Sequence, residues 1–417
     1  MTEIHEKRKS KGNRLGRVII TLAVLIVLCV SAVYIAARVL PRMESTFGAV
    51  SGRTAEEVSG TVAEQQAADF PELTVTVEET AGGFYYGLLT EEEQVVYREL
   101  LQGVQNMEET ILIHAGKNDE PEKVYEYLLY DRPELFFCTG SLSMTMYDEY
   151  TVFVPAYRCT PSQREQMQKE IDEAVAECIS GISPDAGEYE RIKYVFEYLV
   201  NTVDYVDNAP HNQNMYSALV GKRSVCAGYS RAAQYLLENM GIECIYVLGT
   251  AQGQGAHGWN IVNCDGKYYQ MDVTFGDSVF LSDENGEAIS SDIVVYDYLC
   301  VTDEVMFKDH VQDAEVPYPV CDSDDLDYYK MNGLSYASYD PQIILGDLNK
   351  AINGGEETFI CKFTDEAVYS EAVGDLIENI FPRAAQNLAA AYGLESVKYT
   401  YVEDEKHYKV TVFWNYE

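Results

Sequence analysis

The residues best suited to covalent chemistry are Cys226, His257 and Asp272. Cys226 lies in Arg223-Ser224-Val225-Cys226-Ala227-Gly228-Tyr229-Ser230. Downstream, Ala232, Ala233, Leu236, Leu237 and Met240 form an apolar stripe at helical spacing, and Gly241 ends it. Ser224 reads as the N-cap, which puts Cys226 in the first turn. There the aligned peptide dipoles favour a thiolate. The backbone N–H of a first-turn residue has no helical partner, so it can donate to an oxyanion. The small Ala227 and Gly228 leave room for a substrate. Read alone, Cys226 serves equally well as a small buried hydrophobe.

The next two strands add what a cysteine nucleophile needs. Ile242 to Leu248 alternates and is rich in β-formers, and a glycine-rich loop, Gly249 to Ala256, leads to His257-Gly258-Trp259-Asn260. Asp265-Gly266 is a two-residue hairpin signal. If Cys264 pairs with Lys267 across it, His257 faces Thr274 and Asp272 faces Trp259. His257 and Asp272 then become diagonal neighbours on one face, within reach of their side chains. A carboxylate beside an imidazole fixes its tautomer and stabilises the imidazolium.

Ser-Val-Cys-Ala-Gly-Tyr-Ser (224–230), His-Gly-Trp-Asn (257–260) and Met-Asp-Val-Thr-Phe-Gly-Asp (271–277) together resemble the transglutaminase-like superfamily, over roughly a third of the chain. The resemblance implies a papain-like α+β core. It makes Cys226 the nucleophile, His257 the general base and acid, and Asp272 its orienter. Members often carry Ala where Gly258 stands and Trp or Tyr where Phe275 stands; neither change removes a catalytic group. The flanking segments resemble the surroundings of such domains in bacterial cell-surface proteins.

The other candidates are weaker. His114, His211, His310 and His407 are isolated in sequence and read as surface or packing residues, with His211 near enough to Cys226 to line a cleft. Gln213 or Asn214 is a candidate second oxyanion donor, and Trp259 reads as core or cleft wall. Ten cysteines are scattered without paired metal-ligand spacing. Cys138 and Cys159 flank a strand pair and are candidates for a bridge. Asp322-Ser323-Asp324-Asp325 lacks the spacing of a calcium loop and reads as a solvated linker. No metal and no cofactor are expected.

These residues need elements to hold them. An amphipathic helix with Ile192, Val195, Phe196, Leu199 and Val200 on one face opens the central region. Before it, Thr90 to Glu93 is a capping box. A helix to about Met107 follows, then a strand (110–114), a helix (120–130), a hairpin (141–147 with 150–156) and a helix from 161 to 179. The C-terminal part repeats the pattern. Asp340-Pro341 starts a helix, Glu356-Glu357-Thr358-Phe359-Ile360 echoes Glu108-Glu109-Thr110-Ile111-Leu112, a long helix runs from 365 to 392, and strands follow at 397–402 and 406–414. This suggests a divergent repeat around the central region. The expected fold is α+β: a papain-like transglutaminase core flanked by two smaller α+β segments, after one transmembrane helix. The expected boundaries are 1–17 cytoplasmic tail, 18–37 transmembrane helix, 38–82 stalk, 83–183 N-terminal α+β domain, 184–320 catalytic domain and 321–417 C-terminal α+β domain.

Val18 to Ala37 is uncharged and long enough to span a bilayer. Lys7, Arg8, Lys9, Lys11, Arg14 and Arg17 precede it, so the N-terminus is expected in the cytoplasm and the rest outside. The net charge of −38 argues against a nucleic-acid partner. The expected activity is that of an extracytoplasmic cysteine enzyme acting on amide or peptide bonds of protein or peptide substrates, cell-wall peptides among them. The rival reading is a catalytically silent binding or scaffolding module on the same fold.

Overall fold

The computed structural model describes residues 69–253, 255–277, 293–395 and 397–415. The expected span at 18–37 lies outside them, and among the described residues no helix is long and apolar enough to cross a membrane.

Helix α1 (Glu91–Gln105) begins at the capping box: Thr90 accepts from the Glu93 N–H, and Glu93 accepts from the Thr90 N–H at 2.9 Å. Strand β1 (Ile111–Ile113), helix α2 (Pro121–Asp131), strands β2 (Cys138–Met146) and β3 (Thr151–Tyr157) and helix α3 (Pro161–Ser180) follow. The three strands form an antiparallel sheet in the order β1-β3-β2. The end of the expected stalk packs on this unit, with the Gln102 side chain bonded to Thr74 and to the Glu72 carbonyl. Cys138 and Cys159 are free thiols, as is every cysteine among the described residues.

The central elements are helices α4 (Glu188–Thr202), α5 (Met215–Leu219) and α6 (Cys226–Asn239), then strands β4 (Cys244–Ala251), β5 (Gly255–Cys264) and β6 (Lys267–Met271). A short strand, β7 (His310–Gln312), completes an antiparallel sheet ordered β6-β5-β4-β7. Both faces of this sheet are buried. Cys244, Val262, Cys264, Tyr269 and Met271 join a core that runs without break from Tyr86 to Cys300, so the N-terminal and central segments share it. Ile245, Val247, Trp259 and Ile261 face a second cluster with Tyr85, Tyr298, Val301 and Met306.

The C-terminal part has its own core around Ile344, Leu348, Phe363, Phe381 and Val412. Helix α7 (Pro341–Gly354), capped by Asp340, leads to strand β8 (Thr358–Phe363), helices α8 (Glu366–Asp375) and α9 (Phe381–Tyr392), and strands β9 (Lys398–Asp404) and β10 (Lys409–Asn415). The expected single helix from 365 to 392 is interrupted by a π turn at Leu376–Ile380. Pro382 supplies the reason: it brings no N–H to the ladder and crowds the preceding turn, so the bonding pattern slips. The sheet order β8-β10-β9 matches β1-β3-β2 in the N-terminal part, but the C-terminal sheet adds a fourth, parallel edge strand, Ser335–Tyr336, beside β8.

Candidate active site

Cys226 opens helix α6, as its sequence context requires, but Ser224 is not the cap. Val225 occupies that position with extended backbone and no side-chain bond. Ser224 instead lies opposite Tyr205 in a two-residue parallel bridge, with Arg223 opposite Asp204, and its hydroxyl donates to the Asn212 carbonyl at 3.0 Å. No side chain at the cap accepts from the first-turn N–H groups, and while that of Gly228 bonds to the Val225 carbonyl, a first-turn N–H such as that of Cys226 has no helical carbonyl to reach and suits an oxyanion. The Ser230 hydroxyl lies 2.9 Å from the Cys226 carbonyl and 2.7 Å from that of Gly258, and Asn260 donates to the Ser230 carbonyl. These bonds pin the helix that Cys226 opens to the strand that carries His257.

Strands β5 and β6 pair as the turn chemistry predicts, with Cys264 opposite Lys267 and Asn260 opposite Met271. Asp265 and Gly266 both take positive φ, +51° and +79°, as a type I′ turn needs. Asp272 stands one residue past β6, diagonal to His257. Its Oδ2 lies 2.6 Å from His257 Nε2, and both side chains are almost wholly buried. Its Oδ1 accepts from the Thr274 N–H at 2.8 Å and, more weakly, from that of Phe275. A carboxylate is only an acceptor, so His257 presents Nε2–H to it and leaves Nδ1 for the thiol. Nδ1 is buried without a settled hydrogen-bond partner. Burial works against the imidazolium, but the Asp272 charge and then the Cys226 thiol outweigh it and raise His257 to about 10. Burial likewise disfavours the Asp272 carboxylate, yet His257 and His310 hold it well below the usual range.

His310, which the sequence presents as an isolated surface or packing residue, is part of the site. Its Nε2 lies 3.1 Å from the same Asp272 Oδ2, and its Nδ1 lies 2.6 Å from Asp309 Oδ1. The sequence held one signal for this. The expected glycine-rich loop at 249–256 is largely ladder, with Gly249 opposite His257 and Ala251 opposite Gly255. A Cβ on Gly249 would sit 2.1 Å from the Val311 carbonyl. A glycine inside a strand marks a close backbone approach, here that of β7 and therefore of His310.

The remaining candidates separate cleanly. Trp259 is fully buried, with its indole N–H on Gln270. Phe275 packs edge-on against His257 at 5.3 Å. The space an alanine at 258 would fill belongs to Tyr246, whose hydroxyl would lie 2.7 Å from such a Cβ. Asn214 accepts from the Tyr216 N–H and donates to the Phe136 carbonyl, bonds that tie it to the start of α5. His211 packs edge-on against Tyr216, at 5.7 Å. Of the acidic run, Asp324 and Asp325 pair with Lys330 and Lys267. His407, read as a surface or packing residue, is buried with Nδ1 on Asp404. The side-chain polar atoms of His257, Asp272 and His310 converge, but they are spent on one another in a hydrogen-bonded chain.

With this geometry in view, residues 173–273 match the family model described as the transglutaminase-like superfamily. They form a transglutaminase-like domain. The match takes in Cys226, His257 and Asp272 together. No curated protein matches the chain. Among solved structures, the chain is similar to a TGase (13% identity, TM-score 0.25, covering 36% of this chain and 47% of that one). A candidate cysteine protease from Cytophaga hutchinsonii gives 14% identity and a TM-score of 0.23, over 34% of this chain and 57% of that one. Menin gives 14% identity and a TM-score of 0.25, over 73% and 66%. The chain thus spans about half the length of the first two structures it matches.

Proposed function

We propose that this protein is a cysteine enzyme that cleaves or transfers amide and peptide acyl groups through a thioester on Cys226. The observation that carries the reading is the buried His257–Asp272 pair at 2.6 Å, with the second imidazole nitrogen left over for the thiol at the start of α6. The Cys226 thiolate attacks the carbonyl carbon, and the oxyanion is held by first-turn N–H groups. The tetrahedral species collapses as His257 gives its Nδ1 proton to the leaving amine. Water or a second amine, deprotonated by His257, then attacks the thioester. Water makes the protein a peptidase or amidase; an amine makes it a transamidase. In this reading residues 18–37 anchor the protein with its catalytic part outside the cell, where cell-wall peptides and surface proteins are the accessible substrates.

The test is a peptide-library assay with and without an added primary amine, read by mass spectrometry, alongside selective alkylation of Cys226 near neutral pH. Products with wild type and none with Cys226→Ala support the reading. A thiol inert to electrophiles in the folded protein removes it and leaves the scaffold reading.

A further inference from the structure

The buried group that this mechanism does not use is His310. Its ring lies between two carboxylates, with Nε2 3.1 Å from Asp272 and Nδ1 2.6 Å from Asp309. A neutral imidazole has one N–H and one lone pair. In either tautomer one ring nitrogen would turn its lone pair on a carboxylate oxygen. The pair is relieved only by a second proton, on the ring or on a carboxylate. Asp309 is a poor place for it: its Oδ2 accepts from the Tyr298 hydroxyl and forms an ion pair with Lys406 Nζ at 2.5 Å. Asp272 is a poor place as well, with His257 on Oδ2 and two backbone N–H groups on Oδ1.

We propose that His310 is held as an imidazolium against Asp272, and that the C-terminal hairpin, through Lys406 and Asp309, thereby moderates the basicity of His257. The inference deepens the cysteine-enzyme reading above and rests on it for its catalytic meaning. Left alone with His257, a fully buried Asp272 would bind the imidazolium so tightly that proton delivery to the leaving amine becomes costly. A second cation on the same oxygen divides the carboxylate's charge between two rings. His310 is thus a positioning residue, acting through Asp272.

The groups that face His310 come from five places: Asp272 at the end of β6, His257 on β5 at 5.4 Å between ring centroids, Asp309 beside it, Tyr298 on the segment that packs against it, and Lys406 from the turn between β9 and β10. Beyond Tyr298 lies the His407 ring. Burial disfavours the charged ring, but Asp272 and Asp309 outweigh it and raise His310 above its ordinary value. The hairpin also holds its place through Lys308, which donates to the Lys406 carbonyl at 3.0 Å.

The experiment is a pH titration of the full chain labelled with 15N-histidine, which reads the protonation of each ring nitrogen directly. In the wild type both nitrogens of His310 are expected to be protonated at pH 7, where a free imidazole is mostly neutral. In His310→Gln the midpoint of His257 should rise by about one to two pH units, the scale expected for losing a unit charge at this separation. Asp309→Asn, which frees one side of His310, should move His257 in the same direction. Lys406→Met, on the turn between β9 and β10, leaves Asp309, His310 and Asp272 in place and should shift the titration of His310 and, through Asp272, the midpoint of His257. Thermal melts identify any variant that fails to fold. A His310 that is singly protonated at pH 7, or a His257 midpoint unchanged in both folded variants, overturns the proposal; a spectrum unchanged by Lys406→Met overturns the role of the hairpin. Alkylation of Cys226 in the same samples separates the two readings. Reactive Cys226 with an unmoved His257 sinks this inference alone, and inert Cys226 with the predicted titrations sinks only the proposed enzyme.

Discussion

Cys226 and His257 are held by different means. The thiol depends on a helix terminus, which needs only local chain geometry, whereas the imidazole depends on one carboxylate brought from the neighbouring strand. Removing each therefore has a distinct signature. Cys226→Ala should abolish turnover and leave the melting temperature near that of wild type, since only a half-buried sulfur is lost. Near-wild-type turnover in that variant would end the mechanism. Asp272→Asn keeps the shape but can turn an N–H towards the imidazole and so favours the wrong tautomer. A loss of roughly 10²–10⁴-fold in kcat is expected, measured on the folded variant by steady-state kinetics. Retention of rate would mean that His257 takes its orientation from elsewhere.

At the scale of elements, the site is assembled by one strand that the others leave room for. Strand β7 lies along β4 only because Gly249 has no side chain. Gly249→Val should force the strands apart, cost about 1–3 kcal/mol as other overpacked sites do, and displace His310. The contrasting substitution is Gly346→Ala in helix α7, where a Cβ meets nothing within 4 Å. That change should stabilise the protein by roughly 0.5–1 kcal/mol through helix propensity alone. Chemical denaturation of both variants reads the two signs, and stabilisation by Gly249→Val would refute the close approach.

Across the whole molecule, the C-terminal part meets the central one through buried charge. Lys409 on β10 pairs with Asp297, which is nearly inaccessible, and Lys362 lies 3.7 Å from the same carboxylate. Burial opposes the Asp297 charge, but Lys409 keeps it well below the usual carboxylate range. Lys409→Met strands that carboxylate, and a cost of about 3–5 kcal/mol follows. An unchanged unfolding midpoint would show that solvent reaches the pair.

The same bookkeeping of protons gives a stability profile. Burial raises Asp131 to about 6 and Glu238 to about 8, and His257 sits at about 10. In each case the folded chain holds a proton that the unfolded chain has released, so stability falls as pH rises from about 5 towards 10. Asp272, Asp297 and Asp309 are shifted the other way, their partners outweighing burial, so their contribution is present above about 4 and lost as pH falls through their folded values. Melting temperature should therefore peak near about pH 5. A maximum on the alkaline side of neutrality would contradict this.

What the sequence by itself determined is whatever depends on neighbours along the chain. The Thr90 capping box, the Asp265-Gly266 turn and the apolar stripe behind Cys226 each act within a few residues. They were enough to put Cys226 at a helix start and to set Asp272 diagonal to His257. The cap was misplaced by one residue because Ser224 has a stronger claim on it from Asn212, a residue far enough upstream that no local rule links them. Pro382 was visible, but a proline can end, kink or shift a helix, and only the folded chain shows which of these it does. The second histidine was out of reach for a related reason. His310 belongs to a three-residue strand with too little periodicity to read, and its meaning comes from Asp272, Asp309 and Lys406, which lie on separate elements. Only the tertiary structure, by closing β7 over Gly249 and docking the β9–β10 turn against Asp309, brings those charges to one buried point.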